Sequence, residues 1–215
     1  MKARSARARV AETRSTRDVI LDAAERRFAE RGFAGVSVRE IASDAGLKNQ
    51  ASLYHHFKNK KALYEAVLAR GVAPILEMVA SSNAPTDTGL TLEHLVDYLA
   101  GHPHLPRLIQ RAGLDDTKLL RSTVTKLLSP LYVSGLSKLA TSVGGGWEAS
   151  EMPHLALGIY HLVFGYFANA ALFEMVLPED PRSPAAVARQ AHFIKAAVTR
   201  LLGPADAQTS RLASR

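Results

Sequence analysis

Apolar residues recur at intervals of three and four along most of the chain, and no stretch alternates apolar with polar long enough to suggest a strand. Ser15 with Asp18 opens the first run, Ile20, Ala24 and Phe28 continue it, and Gly32 stops it, a helix of about four turns. Ser37 and Glu40 form an S-x-x-E capping box for a short helix through Ile41, Ala42 and Ala45, which Gly46 ends. Asn49 is placed to cap a two-turn helix reaching Phe57. Asn59 is placed to cap a fourth, from Lys60 toward Ala80, in which Gly71 and Pro74 predict a bend.

The stretch "SSNAPTDTG" then reads as a loop. Residues 91–100 and 105–112 predict two shorter helices separated by "GHPH", and residues 116–142 a long one with Pro130 as a kink. "VGGGW" breaks the pattern, a helix over 150–177 tolerates Pro153 in its first turn, and "PEDPRSP" ends it. Ser183 and Pro184 start the last helix, which Gly203 and Pro204 stop. The fold class expected is all-α, a four-helix head on a body of five or six helices.

Charge divides the chain at nearly the same place. Residues 1–70 hold 15 Lys and Arg against 8 Asp and Glu, whereas residues 71–215 hold 12 of each. The head therefore suits a polyanion, either nucleic acid or an anionic membrane surface, and the body does not. With no Cys there is neither a disulfide framework nor a thiolate zinc site, and a cytoplasmic location fits. The first fourteen residues lack the apolar run of a secretory signal and read as a flexible basic arm.

Two short helices around a glycine turn, in a basic segment, suggest a helix-turn-helix whose second helix enters the major groove. Leu53 and Phe57 share the face that packs on Ile41, Ala42 and Ala45. At 100° per residue, Ala51, Ser52 and His55 point away from that face, while Gln50, Tyr54 and His56 flank it. His55 and His56, adjacent and divergent, do not form a metal pair. Gln50 suits adenine, Ser52 and His55 suit base edges, and Lys48, Lys58, Lys60 and the Tyr54 hydroxyl suit phosphates.

The run from "ILDAAERRFAERGFAGVSVREIASDAGL" to "SLYHHFKNKKALYEAVL" resembles the N-terminal domain of the TetR family of bacterial transcriptional regulators. "LYHHFKNKKAL" fits the family's L-Y-x-H-F-x-x-K-x-x-L pattern, and the likeness covers residues 16 to 68. It implies an all-helical homodimer with three N-terminal helices for double-stranded DNA and a C-terminal bundle that binds a small ligand. By position, Tyr54 touches phosphate, His55 takes the variable DNA-facing place, and Lys60 binds phosphate at the start of the fourth helix. One departure bears on base reading. Seven residues, "LKNQASL", separate Gly46 from Tyr54 where six are usual, which lengthens either the turn or the start of the recognition helix and affects the register of Lys48, Asn49 and Gln50.

The expected organisation is an arm at 1–14, a helix-turn-helix DNA-binding domain at 15–62, a ligand-binding and dimerisation domain at 63–203, and a flexible tail at 204–215. The uncharged run 155–173 approaches the length of a membrane span, but His161 and Asn169 within it favour a buried helix. The family resemblance places the dimer interface on the last two helices, where Gly158, Gly165, Ala168 and Ala171 allow close approach. Tyr98, His102, Arg107, Trp147, Tyr160, Phe164 and Phe167 are candidates for an apolar ligand pocket. Arg107 and Arg111, one turn apart, offer either an anion site or a solvated face. Neither the histidines of "HPH" nor His94 and His161 have a recognisable metal-ligand spacing, and no catalytic motif appears. No cofactor is expected. The function expected is a ligand-responsive homodimeric repressor released from a palindromic operator by a small apolar inducer. The alternatives are a sequence-nonspecific DNA-binding protein and an enzyme with a helix-turn-helix head.

Overall fold

The structure, a computed structural model, describes residues 14–81, 88–114, 118–142, 147–176 and 178–203. Every regular element among them is a helix: α1 (Thr16–Arg31), α2 (Val38–Asp44), α3 (Gln50–Tyr54), α4 (Lys60–Ser81), α5 (Thr88–Gly101), α6 (Leu105–Leu114), α7 (Lys118–Ser142), α8 (Met152–Ala168), α9 (Ala170–Phe173) and α10 (Pro184–Leu202). Most of the predicted arm, the tail, the centre of the 81–89 connection and the glycine run at 144–146 lie outside the described residues.

Helix starts follow their caps. The Asp18 N–H donates to Ser15 Oγ at 3.2 Å, and the Ala186 N–H donates to Ser183 Oγ at 3.2 Å. At α2 the Glu40 N–H donates to Ser37 Oγ (3.2 Å) while the Ser37 N–H donates to Glu40 Oε2 (2.8 Å), so two orphan donors of the first turn are satisfied reciprocally. α1 stops at Gly32 and the α2 turn passes through Gly46, with φ of 71° and 69°, a left-handed region where a Cβ is strained.

Two expected helices differ. The recognition helix stops at Tyr54 rather than running to Phe57, because the His56 and Phe57 N–H groups both donate to Leu53 O at 3.0 Å and close the chain into a turn. The helix predicted over 150–177 is divided at Asn169. Its side-chain Nδ2 donates to Gly165 O at 2.8 Å, alongside its own backbone N–H at 3.1 Å, so the amide competes with the helix ladder and α8 ends there. No helix among the described residues is long and apolar enough to cross a membrane.

Two apolar clusters organise the packing. The first is built on Ile20, Ala24, Phe28, Ile41, Leu53, Phe57, Leu63, Tyr64 and Leu68, and also takes Leu108 and Ala112 from α6. Within it the Tyr64 ring stands edge-on to Phe28 (5.0 Å between centroids, 86°) and to Phe33 (5.3 Å, 70°). The second cluster is built on Val72, Ile75, Val96, Leu99, Leu105, Ile109, Val163, Phe164, Ile194 and Val198. Helices α4 and α6 each contribute to both, so the head joins the body through two continuous helices rather than a linker. Where they cross, Gly71 leaves room for Leu105; a Cβ at Gly71 would fall 2.3 Å from Leu105 Cδ1.

Candidate nucleic-acid interface

The α3 helix is presented by its own sequence. Asn49, at φ −154°, caps it: the Ser52 N–H donates to Asn49 Oδ1 at 3.0 Å and the Ser52 hydroxyl at 3.2 Å. Leu53 is fully buried and Phe57 nearly so, which fixes the rotation of the helix on the head. Gln50, Ala51, Tyr54 and His55 are then exposed and Ser52 half-buried. His56, expected to flank the core, is exposed as well. Asn49 and Ser52 thus spend oxygen contacts on the cap, and Asn49 keeps its amide N–H groups for an outside partner. The residues before the helix, Leu47 to Asn49, lie in the turn, where the Leu47 N–H donates to Ala42 O at 2.9 Å.

Ion pairing sorts the charges of the head. Arg27 binds Asp44 through both its Nε and its Nη2, the latter at 2.7 Å, and Arg26 approaches the same carboxylate at 3.6 Å. Arg31 meets Glu40 at 2.6 Å, Arg70 meets Asp22 and Glu25 at 2.7 Å each, and Arg14 meets Asp22 at 3.1 Å. No acidic residue occurs between Asp44 and Glu65. Lys48 and Lys58 are therefore exposed without a carboxylate partner among the described residues, as is Arg39 on α2. Lys48 and Lys58 flank α3 in the chain, so among the described residues positive charge is left at both of its ends, of the kind that attracts phosphates.

Two cations of the head stand on aromatic faces. Lys60 Nζ lies 4.4 Å from the Phe33 ring centroid, and the Arg17 guanidinium lies 5.0 Å from that of Phe57. Burial pulls the Lys60 ammonium below the usual lysine value, with the Glu40 charge opposing. Lys60 also begins α4, where the Ala62 N–H donates to Asn59 Oδ1 at 2.8 Å. Sequence reasoning singled out Lys60 but neither Arg17, Arg39 nor Phe33; the one available signal was their place in the basic segment, because the ring contacts link residues far apart in the chain. The described residues include no group of His, Asp and Glu able to hold a metal.

A cavity of about 750 Å³ lies in the body, between α5, α6, α7 and α8, with Val79 of α4 and Val198 of α10 also in its walls. Tyr160 and Phe164 line it, stacked at 4.7 Å, and burial pushes the Tyr160 phenol up. The other candidate pocket residues lie elsewhere. The Tyr98 hydroxyl donates to Gly71 O at 3.1 Å, with the His102 ring 4.0 Å from its own; Arg107 is exposed. Trp147 Nε1–H donates to Leu201 O at 2.6 Å, and Phe167 is packed in the body core. Arg111 approaches Gly32 at the end of α1, where a Cβ would lie 3.5 Å from its Nη1. The α7 wall, including Thr125, Leu128, Ser129, Tyr132 and Lys138, had no sequence signal of its own.

Residues 20–67 match the sequence profile of the bacterial regulatory proteins of the tetR family. The chain is 29% identical to the probable HTH-type transcriptional regulator YttP of Bacillus subtilis over 178 residues, 79% of this chain and 86% of that one. It is 35% identical to the HTH-type transcriptional repressor AcnR of Corynebacterium diphtheriae over 106 residues, a match spanning 49% of this chain and 50% of that protein. Among solved structures, the ketosteroid transcriptional regulator KstR2 of Mycobacterium tuberculosis shares the fold with a TM-score of 0.64 at 18% identity, covering 86% of this chain and 96% of that one. Residues 20–67 therefore form the helix-turn-helix segment of the tetR family of bacterial regulatory proteins, and the relatives that share it are named as HTH-type transcriptional regulators and repressors.

Proposed function

We propose that the protein is a homodimeric, ligand-responsive repressor that leaves a palindromic operator when a small, largely apolar inducer fills the body cavity. The observation that carries the ligand response is the double duty of α6. Leu108 and Ala112 belong to the head core, while Ile109, Gln110, Gly113 and Leu114 of the same helix line the cavity. A ligand that displaces α6 therefore disturbs α1 directly. The domains proposed are a DNA-binding head at 15–62 and a ligand-binding and dimerisation body at 63–203, with the first fourteen residues as a basic arm.

On DNA, Gln50, Ser52 and His55 face base edges, and the free amide of Asn49 joins them. Lys48, Lys58, Lys60 and the Tyr54 hydroxyl hold phosphates. The dimer forms through the last helices, a reading supported by the exposure of Leu157, Leu172, Met175, Val176 and Phe193 in that region. Around Gly158 and Gly165 a Cβ would meet nothing within 4 Å, which leaves space for a second copy. Two heads then reach successive major grooves about 34–36 Å apart, in the cytoplasm where the operator lies.

Competition binding at fixed salt tests the regulator reading. A genomic palindrome beside the gene should outcompete random duplex by about a thousandfold or more, whereas a sequence-nonspecific coat protein shows little preference. Linkage tests the response, because an inducer that weakens operator binding must itself be bound more weakly by the operator complex, by the same factor. Equal affinity for free and operator-bound protein would refute the mechanism.

A further inference from the structure

The cavity wall is mainly apolar, with Leu92, Leu95, Val163, Phe164 and Val198 all buried. Two phenols interrupt it, and their hydroxyls differ in what they do. Tyr132 is exposed and its hydroxyl is committed, donating to Pro153 O at 3.0 Å. Tyr160 is half-buried, and its hydroxyl has no hydrogen-bond partner among the described residues. No Asp or Glu stands among the described residues of the wall, so no carboxylate there claims that proton.

The Tyr160 ring is held in place. It stacks on Phe164 with 4.7 Å between centroids and meets the His161 ring edge-on at 5.2 Å, so its donor is ordered before any ligand arrives. Because burial pushes the phenol above its ordinary value, it keeps its proton through the neutral range and donates. A lone donor in an apolar wall favours a ligand oxygen that accepts. An ionised carboxylate accepts too, but taking it out of water costs far more than one phenol returns, whereas an uncharged carbonyl has little to lose and one bond to gain. We propose that Tyr160 is the polar anchor of the cavity and that the ligand is an uncharged, apolar molecule whose carbonyl oxygen accepts the Tyr160 hydroxyl. The proposal rests on the reading of the cavity as the inducer site.

The test uses the full-length protein and equilibrium dialysis with three probes that share one tricyclic frame: fluorene, fluorenone, which adds a carbonyl, and fluorene-9-carboxylate, which adds an anion. Tyr160→Phe removes the hydroxyl and keeps the ring on Phe164. It should weaken fluorenone by about three- to tenfold, the range of one net hydrogen bond, while fluorene binds as in wild type or better, since the hydroxyl that it leaves unpaired is gone. Fluorenone unaffected by Tyr160→Phe, fluorene weakened as much as fluorenone, or the carboxylate bound more tightly than fluorenone overturns the carbonyl class. The inducer-site reading is tested separately by Gly135→Phe, or by Gly135→Leu should the first variant fail to fold; either fills the cavity from a half-buried position where a Cβ meets nothing within 4 Å. Fluorene lost in that variant but kept in Tyr160→Phe supports the cavity as a ligand site whatever fluorenone does. If fluorene fails to bind wild type, or binds the filled variant equally well, that reading falls and the proposal falls with it.

Discussion

Replacing Lys60 by Ala separates a phosphate contact from a structural one. In the free protein the ammonium stands 4.4 Å from the centre of the Phe33 ring and its stem is half-buried, so the substitution removes a cation–π contact at a partly exposed site. Such contacts contribute about 0.5–1 kcal/mol, which is the loss of stability expected in urea unfolding. The effect on DNA has a different signature. One phosphate neutralised by Lys60 in each subunit releases about 0.9 counterion, so for a dimer the slope of log K against log salt should become shallower by about 1.8. Fluorescence anisotropy with a random duplex over a salt series reads this without knowledge of the operator, since a phosphate contact carries no sequence information. Phe33→Leu is the internal comparison: it removes the ring and keeps the charge, and should lower stability while leaving the salt slope alone. An unchanged slope in Lys60→Ala would refute the phosphate role. A slope lost equally in Phe33→Leu would show that the ring, not the charge alone, sets the contact.

Three further outcomes follow from the packing and the charges. The Glu40 carboxyl is held down to about 2, against 4.5 ordinarily, by the Ser37 N–H first and then by Arg31 and the Ser37 hydroxyl. Because the folded value is the lower one, its stabilisation is complete above about pH 4.5 and is lost as pH falls toward 2; thermal melts of Glu40→Gln should lose part of that acid dependence, and an identical pH profile would contradict it. Leu53→Ala should cost about 2–5 kcal/mol in urea unfolding, because Leu53 is fully buried and is the side chain that anchors α3; a loss under 1 kcal/mol would mean that α3 is held otherwise. Gly71→Ala drives a Cβ into Leu105 and should cost about 1–3 kcal/mol from overpacking, offset by about 1 kcal/mol of helix propensity. Leu105→Ala should relieve that clash in the double variant, and strict additivity of the two would remove the argument.

Much of the fold is legible locally because its signals act over three or four residues. Ser15, Ser37, Asn49, Asn59 and Ser183 cap the helices at which they were placed, and Gly32, Gly46 and Gly203 terminate with positive φ where periodicity stops. The surface beside α3 was legible for the same reason, since apolar Leu53 and Phe57 fix which residues of one short helix can face outward. Helix ends without a strong local signal were less so. The run 150–177 has no glycine or proline at Asn169, and what divides it is a side-chain amide competing for Gly165 O.

By itself, then, the sequence determined an all-helical chain, a basic head and an outward polar face on its third helix, since caps, periodicity and the absence of acidic residues from 45 to 64 are properties of neighbouring residues. Tertiary structure alone decided which cations stay unneutralised, because Arg27 finds Asp44 and Arg70 finds Asp22 and Glu25 only once α1, α2 and α4 are packed. It alone decided that α6 serves both cores. In sequence, Leu105, Leu108, Ile109 and Ala112 form one broad apolar stripe, and only the crossing of α1, α4 and α8 around it assigns Leu108 and Ala112 to the head and Leu105 and Ile109 to the body. The cavity belongs to the same class of fact, being the space that six helices leave between them; its walls come from residues 79 to 198, and no local pattern encodes a volume.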